Sequence, residues 1–199
     1  MAQDERDKAW RAYYDGVAGR PPRPTLIEAL DRFGSNPGRA VDLGCGDGRD
    51  TIELLRRGWL VTAIDAEPEA LARLVARADL PPDGVLSTRC TRFEEAVWPI
   101  GDLVNASFVL PLCPPAMFPA LWTKIADSLR PGGRFAGQFY GPRDGWADDA
   151  AMTIVTEAQA RGLLDAYAIE RFTEEETDSV TPRGKPKHWH IFHVVARKR

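Results

Sequence analysis

Apolar and polar positions along this chain follow two rhythms, and Gly- or Pro-rich breaks separate them. From Gln3 to Tyr14 the rings of Trp10, Tyr13 and Tyr14 recur at helical spacing on one side of a charged segment. Thr25-x-x-Glu28 reads as a capping box opening a helix with Leu26, Ile27, Leu30 and Phe33 on one face. Ala40 to Leu43 then reads as a short buried strand that runs into Gly44-Cys45-Gly46-Asp47-Gly48. A helix follows, capped by Asp47 or Asp50, apolar at Ile52, Leu54 and Leu55, and stopped by Gly58. Leu60 to Asp65 is a second strand, and Pro68 opens a helix with Leu71, Leu74, Val75 and Ala78 toward the sheet. Further strands are predicted over Gly84–Cys90, Asp102–Leu110, Arg134–Tyr140 and Tyr167–Thr173. A helix from Pro115 to Arg130 carries Phe118, Leu121, Trp122, Ile125 and Leu129 at core spacing, and Thr156-x-x-Gln159 caps a short helix to Leu164. Glu174 to Asp178 reads as a solvated acidic turn, and Lys187 to Arg197 as a last strand pairing back on its predecessor.

Strands alternating with helices describe an α/β protein with a doubly wound, mostly parallel sheet and helices on both faces. Ligands of such sheets lie outside the carboxyl ends of the strands, and an acid ending the second strand takes ribose hydroxyls. Asp65 holds that place. Spacing then separates ligands. A dinucleotide turn needs a third glycine where this chain has Arg49, and Asp42, Asp47 and Asp50 put negative charge where a pyrophosphate would rest. A cationic ligand suits these acids better.

Composition narrows the picture. At 199 residues, residues 1–199 are read as one domain, with 1–24 as an amino-terminal helix and loop covering the site. A net charge of −3 carries no basic footprint, so nucleic acid is not an expected partner. No apolar run reaches membrane-spanning length, and the stretch Met1 to Lys8 is too polar for a secretory signal, so a cytoplasmic protein without membrane partners is expected. Three cysteines, Cys45, Cys90 and Cys113, lack metal-ligand spacing and read as reduced thiols. His188 and His190 share one strand face and His193 the other, so no three-histidine metal site is expected.

The block Val41 to Gly48 resembles the first motif of class I S-adenosylmethionine-dependent methyltransferases, and Leu129 to Phe135 resembles the turn before their fifth strand. The amino-terminal aromatics, Leu110 to Pro115 and His188-Trp189-His190 look most like the tellurite-resistance and thiopurine-type branch. The resemblance implies a seven-stranded sheet ending in an antiparallel hairpin, S-adenosylmethionine as cofactor, S-adenosylhomocysteine as product, and a small-molecule acceptor, a soft chalcogen or thiol among the possibilities. It implies a cofactor set of Asp42, Gly44, Cys45, Gly46, Asp65, Ala66, Arg92, Phe93, Asn105 and Phe108. Phe93 reads equally as a ring stacked on adenine, with Glu94 beside it, or as core. Tyr14, Tyr140, Trp146 and His190 are the acceptor candidates, and no catalytic residue is singled out. Two rivals remain at this point: a nicotinamide-dependent oxidoreductase, and a non-catalytic S-adenosylmethionine-binding module in which side chains fill the acceptor pocket.

Overall fold

The computed structural model describes the backbone of residues 3–199 and the side chains from residue 10 onward, so much of the polar stretch Met1 to Lys8 lies outside the described residues. The elements are α1 (Gln3–Val17), α2 (Pro24–Asp31), β1 (Arg39–Leu43), α3 (Arg49–Arg56), β2 (Leu60–Asp65), α4 (Pro68–Val75), β3 (Leu86–Cys90), β4 (Gly101–Ala106), α5 (Phe118–Ser128), β5 (Leu129–Tyr140), α6 (Glu157–Leu163), β6 (Tyr167–Val180) and β7 (Pro186–Lys198). The seven strands form one sheet in the order β3-β2-β1-β4-β5-β7-β6. β1 to β5 run parallel, and β7 lies antiparallel to both β5 and β6. The strand order reverses between β1 and β4, and that switch point is where such sheets open a crevice.

Each face of the sheet has its own core. Phe135, Phe139, Phe192 and Val194 pack with Trp122 and Ile125 of α5 and Ala160 of α6. On the opposite face Ala40, Ala63, Ala136 and Val195 pack with Leu26 and Leu30 of α2, Ile52 and Leu55 of α3, and Leu74 of α4. Burial of each such large aliphatic side chain contributes about 1.5–3 kcal/mol, which holds the strand ends in register. Among the described residues no helix is long and apolar enough to cross a membrane. None of their His, Cys, Asp or Glu side chains form a group of three that could hold a metal.

Several local expectations are corrected. The predicted Thr25–Glu28 capping box does not form: α2 starts at Pro24 with Arg23 as its N-cap, and neither side chain caps it. Thr25 Oγ1 instead accepts from Gln138 Nε2 at 2.8 Å, satisfying a buried amide, and Glu28 pairs with Arg32 and Arg171. α3 is capped by Gly48 rather than by Asp47 or Asp50. The fourth strand stops at Ala106 instead of Leu110, because Phe108 takes φ 61° and a short 3-10 turn, Leu110–Leu112, follows. The Pro115–Arg130 helix shortens to α5, and the strand expected from Arg134 begins at Leu129 with an irregular register opposite Gly101 and Leu103. Glu174 to Asp178 is not a turn but the outer half of β6, where His188, His190 and His193 of β7 make hydrogen bonds with its carboxylates. The Thr156–Gln159 capping box forms as expected.

Candidate functional site

The site begins where β1 ends. Gly44, Gly46 and Gly48 take φ values of 62°, 55° and 90°, a backbone that side chains with a Cβ adopt only under strain. Gly44 has a second reason to be glycine: a Cβ there would stand 2.2 Å from Val109 Cγ1, because the segment after β4 packs directly on the turn. Asp65, at the end of β2, organises the turn from the other side. Its Oδ2 accepts from Gly46 N at 2.8 Å and its Oδ1 from Glu67 N at 2.9 Å. Burial raises the Asp65 pKa, and these backbone donors oppose the rise. Cys45 is buried beside it with its thiol pKa pushed well up by burial, which marks a packed thiol rather than a reactive one. Ala66 follows Asp65, and its carbonyl accepts from Cys90 Sγ at 3.8 Å. Gly46→Ala is expected to lower stability by about 1–2 kcal/mol through strain alone, read as a drop in Tm, since its Cβ would meet only Tyr14 Cε1 at 3.5 Å.

Behind the turn lies a well of negative charge. Asp42 Oδ1 accepts from Asn105 Nδ2 at 2.8 Å and its Oδ2 from Thr51 Oγ1 at 2.6 Å. The same Asn105 amide donates to Asp50 Oδ2 at 3.1 Å, which also accepts from Ser107 Oγ at 2.7 Å. Asp50 Oδ1 takes the backbone N–H of Arg23 at 2.9 Å. Asp42 and Asp50 are both buried, and among the described residues no cationic side chain pairs with either. Burial first, and the Asp50 charge second, raise the Asp42 pKa out of the usual carboxylate range toward neutrality.

α1 lies across this end of the sheet. Arg11 pairs with Glu69 and Asp15 with Arg73, tying α1 to α4, while Gly16 abuts the carbonyl of Pro182 in the β6–β7 turn. Tyr14 is buried against Gly46, and its phenol pKa is raised by burial and then by the Asp65 charge. The loop that follows is fixed by the Arg23 N–H on Asp50 and by Arg49 Nε donating to Pro21 O.

Past the switch point stands an aromatic wall. Phe108 donates its N–H to Gln138 Oε1 at 2.9 Å, an arrangement that holds its left-handed backbone. Its ring lies under the Arg23 guanidinium, 4.2 Å from the centroid, with Tyr140, Trp189 and His193 at centroid distances of 6.4, 6.5 and 6.2 Å. Tyr140, Trp146 and Trp189 surround the Lys187 ammonium at 4.7, 4.2 and 3.8 Å from their centroids. Lys187 is paired with Asp144, which also accepts from Trp146 N and His190 N. Tyr14 covers the glycine turn, and Lys187 sits among the rings of Tyr140, Trp146 and Trp189. A surface hollow of about 580 Å³ bordered by Pro22, Pro24, Ile27, Glu28, Asp31 and Arg32 lies along α2.

His190 is not brought to this wall. Its ring faces the other side of β7, accepts from Arg143 N at 3.1 Å, contacts Glu174 at 2.7 Å, and fills the space that a side chain at Gly141 would need. His193 is the histidine that reaches Phe108. Sequence reasoning missed it together with Lys187 and Trp189, although the alternation Lys187, Trp189, Ile191, His193 already places them on one face. At the end of β3, Phe93 packs on the first core, and Arg92 Nε donates to Glu94 Oε1 at 2.6 Å. Glu94 is buried with Oε2 lacking a partner. Cys113 is buried, its thiol pKa pushed up to about 11 by burial and then by Glu94.

Residues 40–133, from β1 through the turn before the body of β5, match the methyltransferase-domain family. The chain is 34% identical over 112 residues to an uncharacterised methyltransferase of Synechocystis, a match that spans 54% of this chain and half the length of that relative. Among solved structures it resembles TehB from Haemophilus influenzae, with TM-score 0.76 and 16% identity, over 94% of this chain and 66% of that one. It also resembles 1,6-didemethyltoxoflavin-N1-methyltransferase from Burkholderia thailandensis, solved with its substrate and S-adenosylhomocysteine, with TM-score 0.64 and 24% identity over 100% and 91% of the two chains. The match to the methyltransferase-domain family is thus confined to residues 40–133, while the chain as a whole has the fold of the class I S-adenosylmethionine-dependent methyltransferases.

Proposed function

We propose that this protein transfers a methyl group from S-adenosylmethionine to a small-molecule acceptor, with a soft chalcogen or thiol nucleophile as the acceptor class. The observation that carries the reading is the pair of buried carboxylates, Asp42 and Asp50, bridged by one amide and lacking a protein cation among the described residues. Burying two like charges so close is costly unless a cation completes the set, and a ligand ammonium supplies one. A pyrophosphate in that place would meet repulsion, which disfavours the nicotinamide reading.

In this assignment the backbone of Gly44, Cys45 and Gly46 cradles the methionine portion, and Asp42, Asp50 and Asn105 take its ammonium. Asp65 takes the ribose with Ala66 beside it, and Arg92 and Phe93 flank the adenine. When bound, the cofactor presents a methyl on a positive sulfur, so that an acceptor lone pair bonds to carbon while the C–S pair returns to sulfur and leaves a neutral thioether. The chain's own part is to align the acceptor, exclude water and surround the passing positive charge with the faces of Tyr14 and Phe108. Tyr140 and Trp146 form the acceptor wall, with His193 in the place expected for His190. Residues 1–24 act as the cover.

The raised Asp42 pKa gives this reading a pH signature. A carboxyl that holds its proton in the free protein and sheds it to a cation means that binding releases protons, so affinity rises with pH. S-adenosylhomocysteine should bind more tightly as pH increases from the usual carboxylate range toward neutrality, by at most about tenfold per pH unit for one proton, and then level off. Calorimetry in buffers of different ionisation enthalpy measures the released proton; an affinity flat across that range counts against the role of Asp42.

A second reading, a binding module without turnover, is favoured by Lys187 occupying the space among Tyr140, Trp146 and Trp189. A coupled homocysteine-release assay over halide, chalcogen oxyanion, thiol, amine and phenol acceptors separates the two. Turnover of any acceptor supports the enzyme, and S-adenosylhomocysteine binding without turnover supports the module. Tight NAD binding in its place overturns both.

A further inference from the structure

Beside the acidic well stand three guanidinium groups, none of which forms an ion pair with a carboxylate among the described residues, although Arg49 lies in the field of Asp50. Arg20 and Arg23 lie on the loop between α1 and α2, and Arg49 opens α3. Arg49 is drawn onto that loop by its bond to Pro21 O, and its Nη1 is buried with nothing to donate to. Burial first, and then the Arg23 charge, disfavour the Arg49 cation, and Asp50 opposes them. The protein does pair its arginines where it has no use for them free: Arg32, Arg57, Arg73 and Arg134 all hold carboxylates. Arg20 is exposed, as the unpaired Arg89 is, whereas Arg23 and Arg49 are half-buried beside the site.

Asp50 and Asp47 partly offset Arg49, which leaves the guanidinium groups of Arg20 and Arg23 as the ones able to draw an anion. The proposed cofactor brings only one carboxylate, and Arg49, adjoining the glycine turn, is the arginine next to the methionine cradle. Arg23 is directed elsewhere. Its N–H is anchored on Asp50, and its guanidinium lies over Phe108, 4.2 Å from the centroid of the ring that also meets Tyr140, Trp189 and His193. We propose that Arg23, laid over Phe108 at the aromatic wall, anchors the negative charge of an anionic acceptor. This rests on the methyl-transfer reading above and narrows its acceptor class.

The chemistry restricts that anion further. A guanidinium that hydrogen-bonds the attacking lone pair would blunt it, so Arg23 serves best by holding a charge on a different atom. Suitable acceptors carry the nucleophile and the anchoring charge separately: a thiol with a carboxylate, or an oxyanion whose central atom keeps a lone pair. Phe108 supports the guanidinium from beneath and leaves its edge donors free.

The test uses the full-length protein saturated with S-adenosylhomocysteine, titrated by calorimetry with mercaptoacetate, selenite and the uncharged thiol 2-mercaptoethanol. The expected result is at least about tenfold tighter binding of mercaptoacetate or selenite than of 2-mercaptoethanol. That preference should be lost in Arg23→Gln and largely kept in Arg23→Lys, with S-adenosylhomocysteine affinity and Tm little changed in both. Absence of any anion preference in the wild-type complex overturns the proposal. So does a large loss of S-adenosylhomocysteine affinity in Arg23→Gln with the anion preference intact, which would give Arg23 to the cofactor carboxylate. Failure of wild-type protein to bind S-adenosylhomocysteine at all would instead remove the functional reading beneath it.

Discussion

Asp65→Ala should weaken S-adenosylhomocysteine binding by about 100-fold while leaving the protein folded. Hydrogen bonds to a charged acceptor are worth about 1.5–3 kcal/mol each, and about 1.4 kcal/mol is a factor of ten in affinity, so two ribose contacts account for the loss. The same carboxylate holds the N–H groups of Gly46 and Glu67, and its removal also loosens the glycine turn. The cleanest check compares two ligands. 5′-Methylthioadenosine keeps the ribose but lacks the amino-acid portion, so Asp65→Ala should weaken both it and S-adenosylhomocysteine, whereas Asp42→Asn should weaken S-adenosylhomocysteine alone. Unchanged affinity in Asp65→Ala would remove this residue from the ribose role.

Lys187→Met should destabilise the fold by about 3–5 kcal/mol, the usual cost of orphaning one member of a buried ion pair. The side chains of Lys187 and Asp144 are 2% and 0% exposed, so water cannot take over the lost partner. Asp144 would keep only the N–H groups of Trp146 and His190. Chemical denaturation measures the loss. A second substitution, Asp144→Leu, should recover part of it, because an apolar pair avoids the desolvation that the charges suffer. A loss under about 1 kcal/mol would show that Lys187 is solvated in solution and that the ring cage is open to a ligand.

The glycine turn and the strand-end acids are legible in the chain because each answers a local demand. Three residues with φ above +50° call for glycine, and Asp42 and Asp65 are placed by strands whose buried runs are self-evident. The C-terminal hairpin is equally legible from alternation. What is not legible depends on partners distant in sequence. Thr25 abandons its helix cap because Gln138, 113 residues away, needs an acceptor. The acidic run from Glu174 looks like a turn until the histidines of β7 and Arg143 are set against it. Nothing local announces that Phe108 will leave the strand, since Gln138 on the neighbouring strand holds its backbone. Alternation already separates His190 from His193, but only the packing on either face of the sheet decides which one meets the site.

The hairpin places β6 at the margin of the sheet, where its outward N–H and C=O groups have no neighbouring strand among the described residues. Such a rim invites a second molecule to add its own strand and extend the ladder. Here the rim carries Glu174, Glu175, Glu176 and Asp178 against the guanidinium of Arg143, and an approaching copy would bring the same excess of carboxylates. Mutual repulsion then guards the margin against fibril-like stacking. The guard is strongest in dilute buffer and fades as added salt shortens the reach of the charges.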